Sequence, residues 1–244
     1  MTFHDLLSIL LRKYFMCAQF QLKITANQLA KKFGIRLPEK VGDFDEIFLP
    51  YRQAPVVVLD DKSLNLKAMN FSLVPAWSKE PKVRFATHNA RLYSFDEKTN
   101  KEVAIYEKPT WRDPFKKKHC LVPMTGFIEA IYTQSLAGNM VEFFSKEENL
   151  LVAAGIWEEW LNKKTGEVLE SFSILTHEPY AFVDKMGHDR SPVFLDESKY
   201  RGWLEVDSKS PVEMLDFLRS SRSEPCFDVA IVRPLKAGWQ KRLS

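Results

Sequence analysis

Between residues 119 and 176 the chain runs through five short apolar segments in quick succession: HCLVP, GFIEAIY, MVEFF, LLVAAGIW and VLESFSILT. Turn material such as SLAGN and NKKTGE stands between them. Segments of this length, rich in β-branched and aromatic residues and punctuated by Gly and Asn, read as strands in a meander. This constrains the fold more than any other feature of the sequence. Upstream, PVVVLD (55–60) reads as a buried strand, and LNLKAMNFSLV (64–74) partly alternates and reads as another. Helices fall at the edges. Thr25 can cap ANQLAKKF with Gly34 as its stop signal, and Ser210, Pro211 and Glu213 form a capping box with proline at the first helical position. The expectation is a mixed α+β domain, mainly antiparallel.

The chain has 244 residues, 45% of them hydrophobic, with no repeats and no low-complexity linker, so we expect one domain rather than a string of modules. A net charge of +3 settles nothing about partners. Three cysteines, Cys17, Cys120 and Cys226, stand at wide spacing without a CxxC pair, which argues against a disulfide framework or a zinc knuckle and for a reducing compartment. No apolar run approaches the roughly 18–20 residues of a membrane span, so no membrane partner is expected. Residues 1–15 place Asp5 before the apolar stretch Leu6–Leu11 and Arg12 and Lys13 after it, the reverse of a secretory signal. We read residues 1–15 as an extension or a mis-assigned start, and 16–244 as the domain. Met16-Cys17 then looks like a second beginning, since an initiator methionine is commonly removed before a small residue.

In GFIEAIY, strand alternation puts Phe127, Glu129 and Ile131 on one face. A carboxylate between large apolar neighbours is an ordinary strand glutamate or, if buried, a proton-transfer group with an elevated pKa. None of the five histidines pair at metal-ligand spacing. His188 lies in the loop sequence KMGHDRSP, and HNAR (88–91) sets an amide beside a guanidinium. A polar stretch from 92 to 118 ends in Lys116-Lys117-Lys118, the strongest local positive charge. Propensity and spacing alone give a globular domain and several polar candidates, but no function.

Taken in order, Met16-Cys17, YRQAP, FSLVPAW, HNAR, CLVPMTGFIEA, SILT and GHDRSPV resemble the SOS response-associated peptidase family, whose members include shields of abasic sites in single-stranded DNA. The resemblance spans roughly Met16 to Trp203. It implies a curved, barrel-like antiparallel sheet with flanking helices. It also implies a cysteine nucleophile at the mature N-terminus, here Cys17, with Asn89, Glu129 and His188 as its catalytic companions. The partner implied is single-stranded DNA carrying abasic sites. Arg91 and Arg190 would contact phosphates, Trp77 and Phe71 would stack on splayed bases, and Arg52 and the Lys116, Lys117 and Lys118 run would extend the charge track. Only an N-terminal cysteine offers an amine and a thiol on neighbouring carbons, which close a thiazolidine on the ring-opened sugar aldehyde.

The chain departs from the family pattern at several places. Ala18-Gln19 follow the cysteine where Gly-Arg is usual, Arg52 opens the stretch that usually begins with Asn, Phe71 and Ser72 stand for Trp and Gly, Ala130 replaces a Trp, and Ser191 replaces a Met. These changes put some DNA contacts in doubt while leaving the four catalytic positions intact. A cysteine hydrolase using Cys17, or a non-catalytic single-stranded DNA binder, would fit the same residues. Nothing in the sequence implies a metal or an organic cofactor. A cytoplasmic monomer, nucleoid-associated if bacterial, is expected.

Overall fold

The two helix caps form as their sequences dictate. Thr25 and Gln28 cap each other reciprocally at one end of the first helix, and Gly34 closes the other in the left-handed region at φ 62°. Ser210 and Glu213 make the same reciprocal box, with Pro211 at the first helical position. A computed structural model describes residues 19–37, 41–96, 98–206 and 209–242. Cys17 lies outside the described residues.

In chain order the elements are β1 (Gln19–Ile24), α1 (Ala26–Phe33), β2 (Phe44–Phe48), β3 (Gln53–Asp60), β4 (Ser63–Phe71), β5 (Asn89–Arg91), β6 (Tyr93–Asp96) and β7 (Lys101–Ala104). A 3-10 turn (Ile105–Glu107) leads to α2 (Arg112–Lys117), β8 (His119–Met124), β9 (Gly126–Ile131), β10 (Asn139–Ser145), β11 (Leu151–Leu161) and β12 (Val168–His177). There follow α3 (Ala181–Lys185), β13 (Ser191–Pro192), α4 (Glu197–Leu204), α5 (Pro211–Ser221), β14 (Phe227–Pro234) and a second 3-10 turn (Trp239–Arg242).

Strands β11, β8, β3, β4 and β12 bond in that order, and β12 pairs back onto β11, closing a five-stranded barrel. Its pairings are antiparallel except β12 with β4. β5 and β13 extend the barrel beyond the end of β12. A second, antiparallel sheet runs β14-β10-β9-β1-β2. Val56, Val57 and Val58 on β3 are all buried, because both faces of this strand are covered, and a strand covered on both faces reads as a continuous apolar run. Gly155 on β11 is required by close approach: a Cβ there would stand 2.8 Å from Cys120 Sγ and 3.1 Å from the Ser173 carbonyl. Aromatic rings join the two sheets. Phe20 of β1 meets Phe71 of β4 edge-on at 5.3 Å, and Phe71 stacks on Phe172 of β12 at 5.2 Å.

The barrel-like, mainly antiparallel α+β expectation holds, but the simple meander does not. β8 joins the barrel while β9, one residue later, joins the second sheet, and β10 pairs with β14 rather than β11. The polar stretch 92–118 carries a hairpin, β6–β7, and a short helix. Apolar runs identify strands, but their neighbours are chosen by which faces are buried together. Among the described residues, no helix is long and apolar enough to cross a membrane.

Candidate functional site

Glu129 sits in β9, opposite Val141 of β10. Alternation along the strand turns Phe127, Glu129 and Ile131 inward, and all three are buried. The carboxylate is therefore held inside the protein among apolar neighbours, the buried alternative of the two that the sequence left open.

His188 reaches it from the loop after α3. Gly187 makes the approach possible: its φ is 94°, and a Cβ there would stand 2.7 Å from Thr133 Oγ1 and 2.8 Å from the Thr133 carbonyl. Only glycine lets this loop lie against the end of β9. His188 Nε2 then stands 3.1 Å from Glu129 Oε2, with 1% and 2% of the two side chains exposed. Nδ1 lies 2.9 Å from the Arg190 carbonyl, the geometry of a donated hydrogen bond. The Arg190 amide also points at Nδ1, 3.3 Å away, so this nitrogen can either donate to the carbonyl or accept from the amide. Nε2 and Oε2 are thus a close, buried charge contact. Burial by itself lowers the His188 pKa, but the charge and hydrogen bond of Glu129, with the Arg190 carbonyl, outweigh it and hold the value above the ordinary one. Glu129 Oε1 has no hydrogen-bond partner among the described residues, so the pair presents an open acceptor.

The other buried histidines behave oppositely. Burial lowers His88 and His119 to about 4, and burial together with Arg222 lowers His177 to about 3. His188 alone among these four is shifted upward. Burial pushes the Cys120 thiol far up, which makes it inert as a nucleophile. Among the described residues, no group of three or more His, Cys, Asp or Glu side chains is placed to hold a metal ion.

Asn89 and Arg91 come from β5, which pairs in parallel with β12 so that Asn89 lies opposite Ile174 and Arg91 opposite Thr176. Thr176 also pairs with Pro192 of β13. The end of β12 thus sets the strand carrying Asn89 and Arg91 on one side and the loop carrying His188 and Arg190 on the other. Asn89 is buried, whereas the two arginines are half-buried. Lys108 joins them from the turn after Ile105–Glu107: its Nζ donates to the Arg91 carbonyl at 3.2 Å. Lys108 did not stand out in the sequence. It is a single lysine in a polar stretch, and only the fold brings it to the arginines.

Trp77 is 57% exposed, and its indole N–H donates to the Pro109 carbonyl at 3.3 Å. Its loop is pinned from beneath by Trp160, which donates to the Ser78 carbonyl at 2.8 Å. Phe71 is different. It is fully buried, with Phe20, Phe172 and His88 packed around its ring, so no face remains for a nucleobase; the expected stacking role is corrected to a core role. Arg52 is exposed in the turn between β2 and β3, and its carbonyl accepts from the Phe71 amide. Lys116 and Lys117 are exposed at the end of α2. The Lys118 ammonium lies 3.3 Å from Glu158 and 2.6 Å from Glu159, so its charge is already neutralised and the track expected from the lysine run is shortened by one.

Residues 16–233 match the sequence profile described as SOS response associated peptidase (SRAP). The chain belongs to the SRAP family. Abasic site processing protein YoqW of Bacillus subtilis (strain 168) is 27% identical to this SRAP chain over 209 residues, covering 84% of this chain and 85% of the relative. Abasic site processing protein HMCES of Xenopus tropicalis is 27% identical over 179 residues, covering 64% of this chain and 50% of its own. A crystal structure of a protein from Bacteroides thetaiotaomicron superposes with a TM-score of 0.71 at 26% identity, over 89% of this chain and 92% of that one.

Proposed function

We propose that this protein captures abasic sites in single-stranded DNA covalently, with Cys17 as its mature N-terminal residue. The observation that carries the reading is the buried Glu129–His188 pair, 3.1 Å apart. It stands on β9, whose Ile128 pairs with Gln19 of β1, and Gln19 is two residues from Cys17. The names of the relatives support the substrate, and the family match from residue 16 supports Met16 as the start of the active chain.

The chemistry balances as follows. The Cys17 amine adds to the C1′ aldehyde of the ring-opened deoxyribose, and loss of one water leaves an imine. The thiol then adds across the imine: sulfur bonds to carbon and its proton passes to nitrogen. Before the amine adds, His188 gives a proton to the ring oxygen as the C1′–O4′ bond breaks and the C1′ hydroxyl loses one to become the aldehyde; Glu129 then shuttles protons during imine formation. Asn89 positions the amine. Arg91 and Arg190 hold flanking phosphates, and Trp77 supports a base. Residues 1–15 must be absent, because an amide nitrogen at Cys17 is not nucleophilic.

The test is a chain beginning at Met16 incubated with a single-stranded oligonucleotide carrying one abasic site and read on a denaturing gel. A shifted band is expected, lost in Cys17→Ser and kept in Cys120→Ser and Cys226→Ser. Glu129→Gln should slow its appearance by about 10²–10⁴-fold. A Cys17→Ser chain that crosslinks as fast, into an equally long-lived adduct, sinks the reading. Peptide cleavage without a DNA adduct would point instead to a cysteine hydrolase.

A further inference from the structure

Lys108 is fixed at both ends. Its backbone N–H donates to the Ile105 carbonyl, and its own carbonyl accepts from the amides of Trp111 and Arg112, which start α2. Its side chain runs inward, with Nζ on the Arg91 carbonyl. The charges of two further cations act on it, Arg190 from the loop after α3 and Arg91 from β5. The acidic groups that reach it are Glu107 of its own turn and Glu102 of β7, and Glu107 is already held by the Ala104 amide at 2.8 Å. Among the described residues, no carboxylate lies within ion-pair distance of Arg91 or Lys108. The next residue, Pro109, accepts from the exposed Trp77 indole. A part-buried cation without a carboxylate, as Arg91 and Lys108 are, is stabilised by an incoming anion, and here an exposed aromatic platform adjoins them.

We infer that Lys108 is a third phosphate-binding cation, clamping one phosphodiester of a single strand together with Arg91 and Arg190 while the neighbouring base stacks on Trp77. This rests on the proposed DNA function and deepens it: the segment Lys108-Pro109 ties the phosphate grip and the stacking platform to one backbone, so the site reads a phosphate and its adjacent base as a unit. A phosphate flanked by a stacked base is the repeating unit of single strands, where bases can be splayed.

The clamp has a pH signature. Burial first, then the charges of Arg190 and Arg91, lower Lys108 from its ordinary value to about 8. A bound phosphate restores it upward. The lysine's contribution to binding is therefore complete below about pH 8 in the free protein and is lost as the pH rises through that value. An arginine, with a pKa above 12, shows no such loss.

The experiment measures binding of a fluorescein-labelled oligothymidylate single strand without any lesion, by fluorescence polarisation, to the full chain. Wild type should weaken by up to about tenfold between about pH 7 and pH 9. Lys108→Arg should stay flat. Lys108→Met should bind about tenfold more weakly at neutral pH, and its salt slope should flatten by about 0.7. A fall with pH shared equally by wild type and Lys108→Arg belongs to another group and overturns the inference. So does a folded Lys108→Met chain with wild-type affinity and slope. In both cases the proposed function stands, because wild type still binds. A wild-type chain that binds no single strand at any pH overturns both.

Discussion

Lys118 and Lys108 lie ten residues apart in the chain and meet opposite surroundings. Lys118 closes the loudest charge motif in the sequence. In the fold its ammonium sits between Glu158 and Glu159 and over the Trp157 ring at 4.6 Å, and Lys67, itself paired with Glu170, covers the same ring at 5.2 Å. Every charge in that cluster is answered from within the protein. Lys108 has no run around it, yet the charges of two arginines act on it and an exposed tryptophan adjoins it. A positive charge in a sequence is available to a partner only when the fold leaves it without an internal counter-charge.

Four variants sharpen or break this comparison. The largest effect is expected from Arg91→Ala, which removes a cation that has no carboxylate partner among the described residues; affinity for a single-stranded oligonucleotide should fall by about tenfold to a hundredfold by fluorescence polarisation. Trp77→Ala removes the stacking face and should weaken binding by about 1–3 kcal/mol, with thermal stability little changed because the ring is exposed. Lys118→Met leaves the buried Glu158 with one partner fewer. It should reduce stability to urea by about 1 kcal/mol, discounted for partial exposure, and leave DNA affinity unaltered. The double change Lys116→Ala, Lys117→Ala should have the smallest effect: affinity within about twofold and stability within about 0.5 kcal/mol. If Lys118→Met instead lowers affinity as much as Arg91→Ala, the closed and open clusters are not distinct and the comparison fails.

The same contrast separates the two aromatic residues expected to stack on DNA. Phe71 and Trp77 lie six residues apart, and only Trp77 keeps a face in solvent. The alternation around Phe71 signals a strand but cannot say which rings arrive on the other side. Phe20 and Phe172 come from 51 residues before it and 101 after it. Glu129 was more legible, because alternation alone placed it on the face of Phe127 and Ile131, two residues of the core. Its histidine partner was not, since the meeting with His188 depends on Gly187 lying against Thr133.

What the residues themselves determine is local. The caps at Thr25 and Ser210, the valine run of β3 and the inward face of β9 follow from side-chain chemistry within a few positions, and the ordered motifs from Met16 to Val193 carry the family. The tertiary structure decided which strands are neighbours, which charges are cancelled and which carboxylate meets which histidine. These depend on groups far apart in the chain meeting in a medium of low dielectric, where one carboxylate more or less reverses what a lysine or a histidine can do.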